Sequence, residues 1–335
     1  MCLKARCARQ SRSAFTLVEI LVVIAIVAIL IGLLLAGIQR AREATNVVAC
    51  KNHIRQIVLA VHLSSDAYQV CPPATGYFPG TAGQGPNGWV GQPGAGYGSI
   101  FFHILPFIEF STVYKSAFDP STMVYAGWGD GLYHSSLPLY ACPSDPSLEF
   151  LQSHVLIRED LGDGNTWQPI GLSSYAYNMQ VFGVVDSNGN LVSRQGACQL
   201  PGSIPDGLSN TIMFAEKLGQ CGDPSSDPHA GGTWWDDWMQ GSSTQLYDPG
   251  FAISSYAQMS QPAVPGEIGP ASMFQVQPLP FLGPACDYKR PSTPHSAGIQ
   301  VGMADGSART LAPTISPAIW WSACTPAGGE ASQLD

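Results

Sequence analysis

The residues with the clearest chemical consequence in this chain lie near its start, in Ser13-Ala14-Phe15-Thr16-Leu17-Val18-Glu19. A small residue, Ala14, precedes an apolar run that carries no charge from Ile20 to Ile38. Secretory signals place their small-residue cleavage site after the apolar region, so a cut here has a different outcome. Hydrolysis of the Ala14–Phe15 bond removes the leader, keeps the apolar helix on the mature chain and frees an amine at Phe15. Glu19 then offers a carboxylate four residues on. Such a group near bilayer depth costs about 2–3 kcal/mol and needs a partner. A new N-terminal ammonium supplies one.

Elsewhere the reactive residue types are dispersed. Seven histidines (His53, His62, His103, His134, His154, His229 and His295) show no metal-ligand spacing. There is no G-x-S-x-G elbow, H-E-x-x-H helix or P-loop, and no enzymatic activity is expected. Gly83-Gln84-Gly85-Pro86-Asn87-Gly88 has G-x-G-x-x-G spacing, but no strand precedes it, Pro86 interrupts it and no helix follows. Asp186, Asn188 and Asn190 are spaced like the start of an EF-hand loop, yet Ala197 stands where the bidentate Glu belongs. Nine cysteines include no C-x-x-C pair, and a cut after Ala14 discards Cys2 and Cys7. Dispersed cysteines favour disulfides in an oxidising compartment. The spacing leaves their connectivity open.

The elements that position these residues follow from charge and periodicity. Residues 1–14 contain Lys4, Arg6, Arg9 and Arg12 and no acid. The positive-inside rule keeps such a leader cytoplasmic and sends the C-terminal bulk across the membrane. Residues 20–38 span about 28 Å as a helix, close to the hydrocarbon thickness. Beyond them Ala41, Ala44, Val48, Ile54, Ile57, Val58 and Val61 keep helical spacing. The pattern predicts one helix over residues 15–65, membrane-spanning first and then laying an apolar stripe on a globular domain.

Residues 72–98 hold 9 Gly and 5 Pro, which reads as a long irregular loop within a 66–98 connection. The remainder, 99–335, reads as a β-rich ectodomain. It has an apolar, partly helical segment at Ser99–Phe118 and an Asn188-Gly189 hairpin between Val181–Val185 and Leu191-Val192. Thr211–Ala215 and Ile299–Met303 read as buried strands. From residue 66 onward 7 Lys/Arg face 22 Asp/Glu, a net charge of −15. That excludes a basic nucleic-acid surface. It favours a solvated acidic face over binding of a cation such as calcium, so no cofactor is expected.

The N-terminal pattern resembles that of type IV prepilins and type II secretion pseudopilins, with their cleavage and methylation motif. Ala14 stands where that family usually has Gly. The resemblance implies processing at Ala14–Phe15 by a prepilin peptidase. It also implies pairing of Glu19 with the amine of a neighbouring subunit, and a single-pass inner-membrane protein whose C-terminal domain is periplasmic before surface assembly.

Further boxes resemble the prepilin-like proteins of domain of unknown function 1559, which end in an H-X9-DG motif. They are Ala41-Arg42-Glu43-Ala44, Cys50 through Ile57, Cys142-Pro143-Ser144-Asp145, Pro205 through Ile212, Phe214-Ala215-Glu216-Lys217, and His295 followed after nine residues by Asp305-Gly306. Ala36 replaces a usual Pro, and His295-Ser296-Ala297-Gly298 departs from an H-x-G-G opening. The resemblance implies an α+β fold, a long pilin-like helix packed on a β-rich ectodomain, and no particular chemistry.

Read physically, Asp206-Gly207, with Asn210 after it, and Asp305-Gly306 are turn formers. The functional alternative brings His295, Asp305 and Asp206 together as a buried His–Asp pair or a cation site. One cysteine of the helix box and one of the Cys-Pro-Ser-Asp box, Cys50 and Cys142, would clamp helix to ectodomain if joined. Trp234-Trp235-Asp236-Asp237-Trp238 and Trp320-Trp321 offer stacking surfaces or core packing. The sequence thus supports a membrane-anchored subunit of a pilus or pseudopilus, with homo- or hetero-oligomeric pilin-like partners. The alternative is a tethered extracytoplasmic module that binds a ligand such as a glycan.

Overall fold

The computed structural model describes residues 17–80, 83–85, 88–90, 95–119, 124–126, 136–148, 157–158, 167–168, 171–221, 232, 249–256, 264–280 and 285–329. The chain forms two compact units, one ending at Thr45 and the other beginning at Asn46. The leader, Ala14 and Phe15 lie outside the described residues, as does the Trp234–Trp238 cluster.

A single helix, Leu17–Tyr68, runs for 52 residues, about 78 Å at 1.5 Å per residue. It contains no proline. It ends where Gln69 turns left-handed at φ 62°, donating its N–H to Ser65 O at 2.7 Å, ahead of Pro72-Pro73. Among the described residues it is the one helix long and apolar enough to cross a membrane. From Leu17 to Ile38 its large apolar side chains are exposed.

Within the second unit the same helix behaves differently. Cys50, Ile54, Ile57, Val58, Val61, Ser64 and Ser65 are buried at helical spacing, while Asn52, Arg55, Gln56 and Leu59 face outward. The buried stripe begins at Cys50. Ala41, Ala44 and Val48, which share its periodicity, are exposed.

The stripe packs on a five-stranded sheet ordered Gly250–Phe251, Tyr175–Asn178, Ile212–Glu216, Ile299–Met303, Ala308–Leu311. Its pairings are antiparallel except the first, which is parallel. Both faces of the sheet are covered. On one, the helix stripe meets Phe101, Tyr140, Tyr175, Tyr177 and Phe214. On the other, Ala176, Ile212, Ile299, Val301 and Met303 pack with Trp320 of the short helix Pro317–Cys324. Two-sided burial explains why these strands read as continuous apolar runs. Trp320 is wholly buried and donates its indole N–H to Ser272 O at 3.1 Å, so it is a core residue and offers no stacking face.

The Gly/Pro-rich segment is more ordered than its composition suggests. Thr75–Phe78 and Gly96–Ser99 pair antiparallel within a four-stranded sheet that also holds Val124–Ala126 and Phe118–Asp119, and Gly83–Gly85 pairs with Gly88–Val90. The expectation of an irregular loop over residues 72–98 is therefore corrected at these strands. The glycines serve close packing: a Cβ at Gly98 would sit 2.7 Å from Phe102 Cδ1, and one at Gly96 would sit 2.7 Å from the Tyr114 hydroxyl. Ser99–Phe118 does contain helical turns at Ile100–His103, Leu105–Phe107 and Ser111–Ser116. The Asn188-Gly189 hairpin forms between Val184–Val185 and Leu191–Ser193, with Gly189 at φ +78°.

Gly302 sets how closely the helix approaches the sheet. A Cβ there would lie 2.5 Å from Ile54 Cγ2 and 2.7 Å from Val58 Cγ2. Gly302→Val should force the helix off the strand and lower unfolding free energy by about 1–3 kcal/mol, the usual range for an overpacked core. Chemical denaturation of the full chain in detergent measures this, and an unchanged midpoint would contradict the packing described.

Candidate functional site

Cys50 lies on the buried stripe of the helix. Cys142 follows the helical turn Pro138–Tyr140, and the structure joins the two in a disulfide with Cα atoms 5.5 Å apart, an ordinary separation for such a bridge. Glu216 ends the strand Ile212–Glu216, and His295 precedes the strand Ile299–Met303. The donor atoms of Cys50, Cys142, Glu216 and His295 lie within 4.8 Å of one another, and all four residues are buried. His295 Nε2 is 3.2 Å from Glu216 Oε1 and 3.6 Å from Cys142 Sγ.

Thr293 orders this cluster. Its hydroxyl donates to Glu216 Oε2 at 2.6 Å and accepts the His295 N–H at 3.1 Å. Gln300 N–H also donates to Oε2, at 2.9 Å. Oε2 is thus saturated. Oε1 faces His295 and the sulfurs, and accepts no well-directed hydrogen bond. Burial pushes the Glu216 carboxyl above the usual carboxylate range, opposed by His295, Thr293 and Gln300. On the helix, His53 Nδ1 meets the Tyr175 hydroxyl at 3.1 Å, one turn from Cys50.

The geometry limits what chemistry is available. A Cys–His–Glu relay requires the carboxylate on one imidazole nitrogen and the thiol on the other. Here Glu216 and Cys142 both approach Nε2. Sulfur, nitrogen and oxygen donors lie near enough to one another here that, with the two cysteines as thiols, they could hold a metal ion.

Asp145, the acid of the Cys-Pro-Ser-Asp box, braces Cys142. Its carboxylate accepts from Ser147 N at 2.9 Å, Ser147 Oγ at 2.6 Å, Ser174 Oγ at 2.7 Å and Gly219 N at 2.9 Å. Burial raises its pKa, and those four donors pull it back. The box thus ties three segments together beside the disulfide.

The other motif residues lie elsewhere. Asp206 accepts the N–H groups of Gly328 at 2.6 Å and Gly329 at 3.1 Å, which pins the C-terminal segment. Gly207 takes φ +103°, and Asn210 Nδ2 donates to Asp206 O at 2.9 Å. Asp305 accepts the Ser307 N–H at 2.8 Å, and Gly306 takes φ +86° in the hairpin between the last two strands. His295 and Asp305 therefore sit at opposite ends of one strand. The turn reading of both Asp-Gly pairs agrees with the structure, and the alternative in which His295 meets Asp305 and Asp206 does not: the acid facing His295 is Glu216. The strand register decides this, because Glu216 shares the Phe214 face, beneath the helix, while both Asp-Gly pairs are spent on turns.

Asp206, Gly207, Asn210, Asp305 and Gly306 are turn residues, then, and only His295 of the singled-out motif residues joins Cys50 and Cys142. Glu216 was visible in the Phe214–Lys217 box. Its signal was a lone acid inside an apolar strand.

The opening after His295 closes despite Ala297. Gly298 N–H reaches His295 O at 3.4 Å, and Gly298 takes φ +130° where a Cβ would strike Leu311 O. Asp186 caps its own turn, accepting from Asn188 N, Asn190 N and Asn190 Nδ2, so its lone pairs serve the hairpin. A second disulfide joins Cys221 and Cys286, and Cys71, Cys198 and Cys324 are buried thiols.

The long apolar N-terminal helix and the match to an N-terminal methylation motif support a class, an exported, pilin-like subunit with a prepilin-type leader. The prokaryotic N-terminal methylation motif matches residues 9–35, which implies processing by a prepilin peptidase and pilin-like assembly. The family model described as protein of unknown function (DUF1559) matches residues 39–318, and the chain belongs to that family. No curated protein and no solved structure matches the chain.

The Asp145 network yields a direct test. Asp145→Ala orphans two buried N–H groups and two hydroxyls, each backbone donor costing about 1–3 kcal/mol. The variant should lose about 2–5 kcal/mol in denaturant unfolding of the full chain. A loss below about 1 kcal/mol would show that Asp145 does not brace the site.

Proposed function

We propose that this chain is a non-enzymatic subunit of a type IV pilus or type II secretion-like pseudopilus. It is held in the inner membrane before assembly, with its globular unit on the periplasmic side. The observation that carries this reading is the division of one helix. Its residues from Cys50 to Ser65 are consumed by the fold, while Leu17 to Ile38 present exposed apolar side chains around Glu19. An apolar surface of that length requires either lipid or other helices. Lipid alone would suit an apolar residue at position 19 better than a carboxylate. Packing against neighbouring subunits, with Glu19 meeting the Phe15 amine of the next one, accounts for both features. Orientation follows from the basic leader.

Glu19→Leu tests the reading. The variant should be processed at Ala14–Phe15 as the unchanged chain is, yet disappear from material sheared off the cell surface. Normal processing with undiminished surface material would overturn assembly through Glu19. It would favour a tethered ligand-binding module instead.

A further inference from the structure

We infer that the dithiol form of Cys50 and Cys142, together with Glu216 and His295, is a four-ligand site for a zinc-class divalent metal ion. The chain is synthesised with its cysteines as thiols, so this form precedes the disulfide and needs no reductant to exist. The site and the bridge are alternative states of the same two sulfurs.

Three observations carry the inference. First, the donors come from four separate segments: the long helix, the Cys-Pro-Ser-Asp box, the end of the Glu216 strand and the residues before Ile299. They converge within 4.8 Å of one another. Donors around a tetrahedral zinc lie about 3.3–3.8 Å apart, given bond lengths of 2.0–2.3 Å. Side-chain adjustment of about 1 Å therefore closes the shell.

Second, a carboxylate and an imidazole, both fully buried, stand beside the two sulfurs: Glu216 and His295 face each other at 3.2 Å, and His295 Nε2 lies 3.6 Å from Cys142 Sγ.

Third, the surroundings orient the ligands. Thr293 and Gln300 hold Glu216 Oε2, which leaves Oε1 directed at the cluster, and the same Thr293 hydroxyl fixes the His295 backbone. Outer partners of this kind set ligand orientation in metal sites.

The donor set selects the metal. Two thiolates, one imidazole and one carboxylate suit zinc or a similar borderline ion. Calcium takes six to eight oxygens and does not fit. Binding Zn2+ displaces the two thiol protons to solvent. It ties the helix to the sheet at the point where the disulfide does. The chain would then have a fixed helix before oxidation as well as after it.

The test uses the full chain in detergent. A water-soluble phosphine reduces the bridge to two thiols; water supplies the oxygen of the phosphine oxide and the two thiol protons. Co2+ is then titrated under nitrogen as the spectroscopic probe. One equivalent should bind, giving tetrahedral d–d absorption and thiolate-to-cobalt charge transfer, with Zn2+ displacing it. Glu216→Gln and His295→Phe should each weaken binding at least about tenfold.

Alkylation mapping of the unsubstituted chain removes dependence on variants that might misfold: Zn2+ should protect Cys50 and Cys142. If the reduced chain unfolds, Zn2+ should restore its circular dichroism. Failure of reduced chain to take up Co2+, or equal alkylation of Cys50 and Cys142 with and without Zn2+, would overturn the inference. So would a cobalt spectrum that persists in Cys50→Ala/Cys142→Ala. None of these results bears on assembly through Glu19, which the surface-shearing experiment tests separately.

Discussion

The globular unit is organised around the contact between the helix stripe Cys50–Ser65 and the strand Ile299–Met303. The strand presents Gly302 where Ile54 and Val58 press closest. His62 extends the contact by meeting Ala304 O at 2.8 Å, and Asn46 reaches Ser144 Oγ at 2.9 Å. Because the stripe is part of the main apolar cluster, removing it would expose the aromatic face of the sheet. The helix from Cys50 onward is therefore a structural layer of the globular unit, and the disulfide at Cys50 secures the start of the buried stripe. The buried Glu216–His295 pair exists only because this layer covers it.

Much of this was legible in the chain. The α+β class, the continuous helix and the two longest strands follow from periodicity, since proline is absent to Tyr68 and the apolar runs at 212–215 and 299–303 are bounded by Asp-Gly turns. The strands Thr75–Phe78 and Gly96–Ser99 were not legible. Glycine in a sequence signals either a flexible turn or close packing. Only the positions of Phe102 and Tyr114 show that Gly96 and Gly98 belong to the second kind. The length of the buried stripe was also hidden, because Ala41, Ala44 and Val48 keep the same period as the residues that are buried.

The site was half visible. His295 stood out by its spacing from Asp305-Gly306, and a meeting of the two was the alternative to a structural turn. In the fold it measures one strand with a turn at its far end. The acid that does face His295 lies 79 positions earlier, and pairing it with His295 requires knowing which strands are neighbours and which face each residue takes. Strand order is a non-local property, and a single sequence carries little trace of it. The same limit applies to Asp206, whose hydrogen bonds go to Gly328 and Gly329, more than a hundred residues away.

The central claim is that the helix from Cys50 onward belongs to the core of the globular unit. Native-state hydrogen exchange on the full chain in detergent tests it most directly. The amides of Cys50 to Val61 should exchange with the same opening free energy as those of Ile299 to Met303, by global unfolding of the sheet. Exchange of the helix amides through a separate opening of lower free energy, with the sheet still protected, would contradict the account.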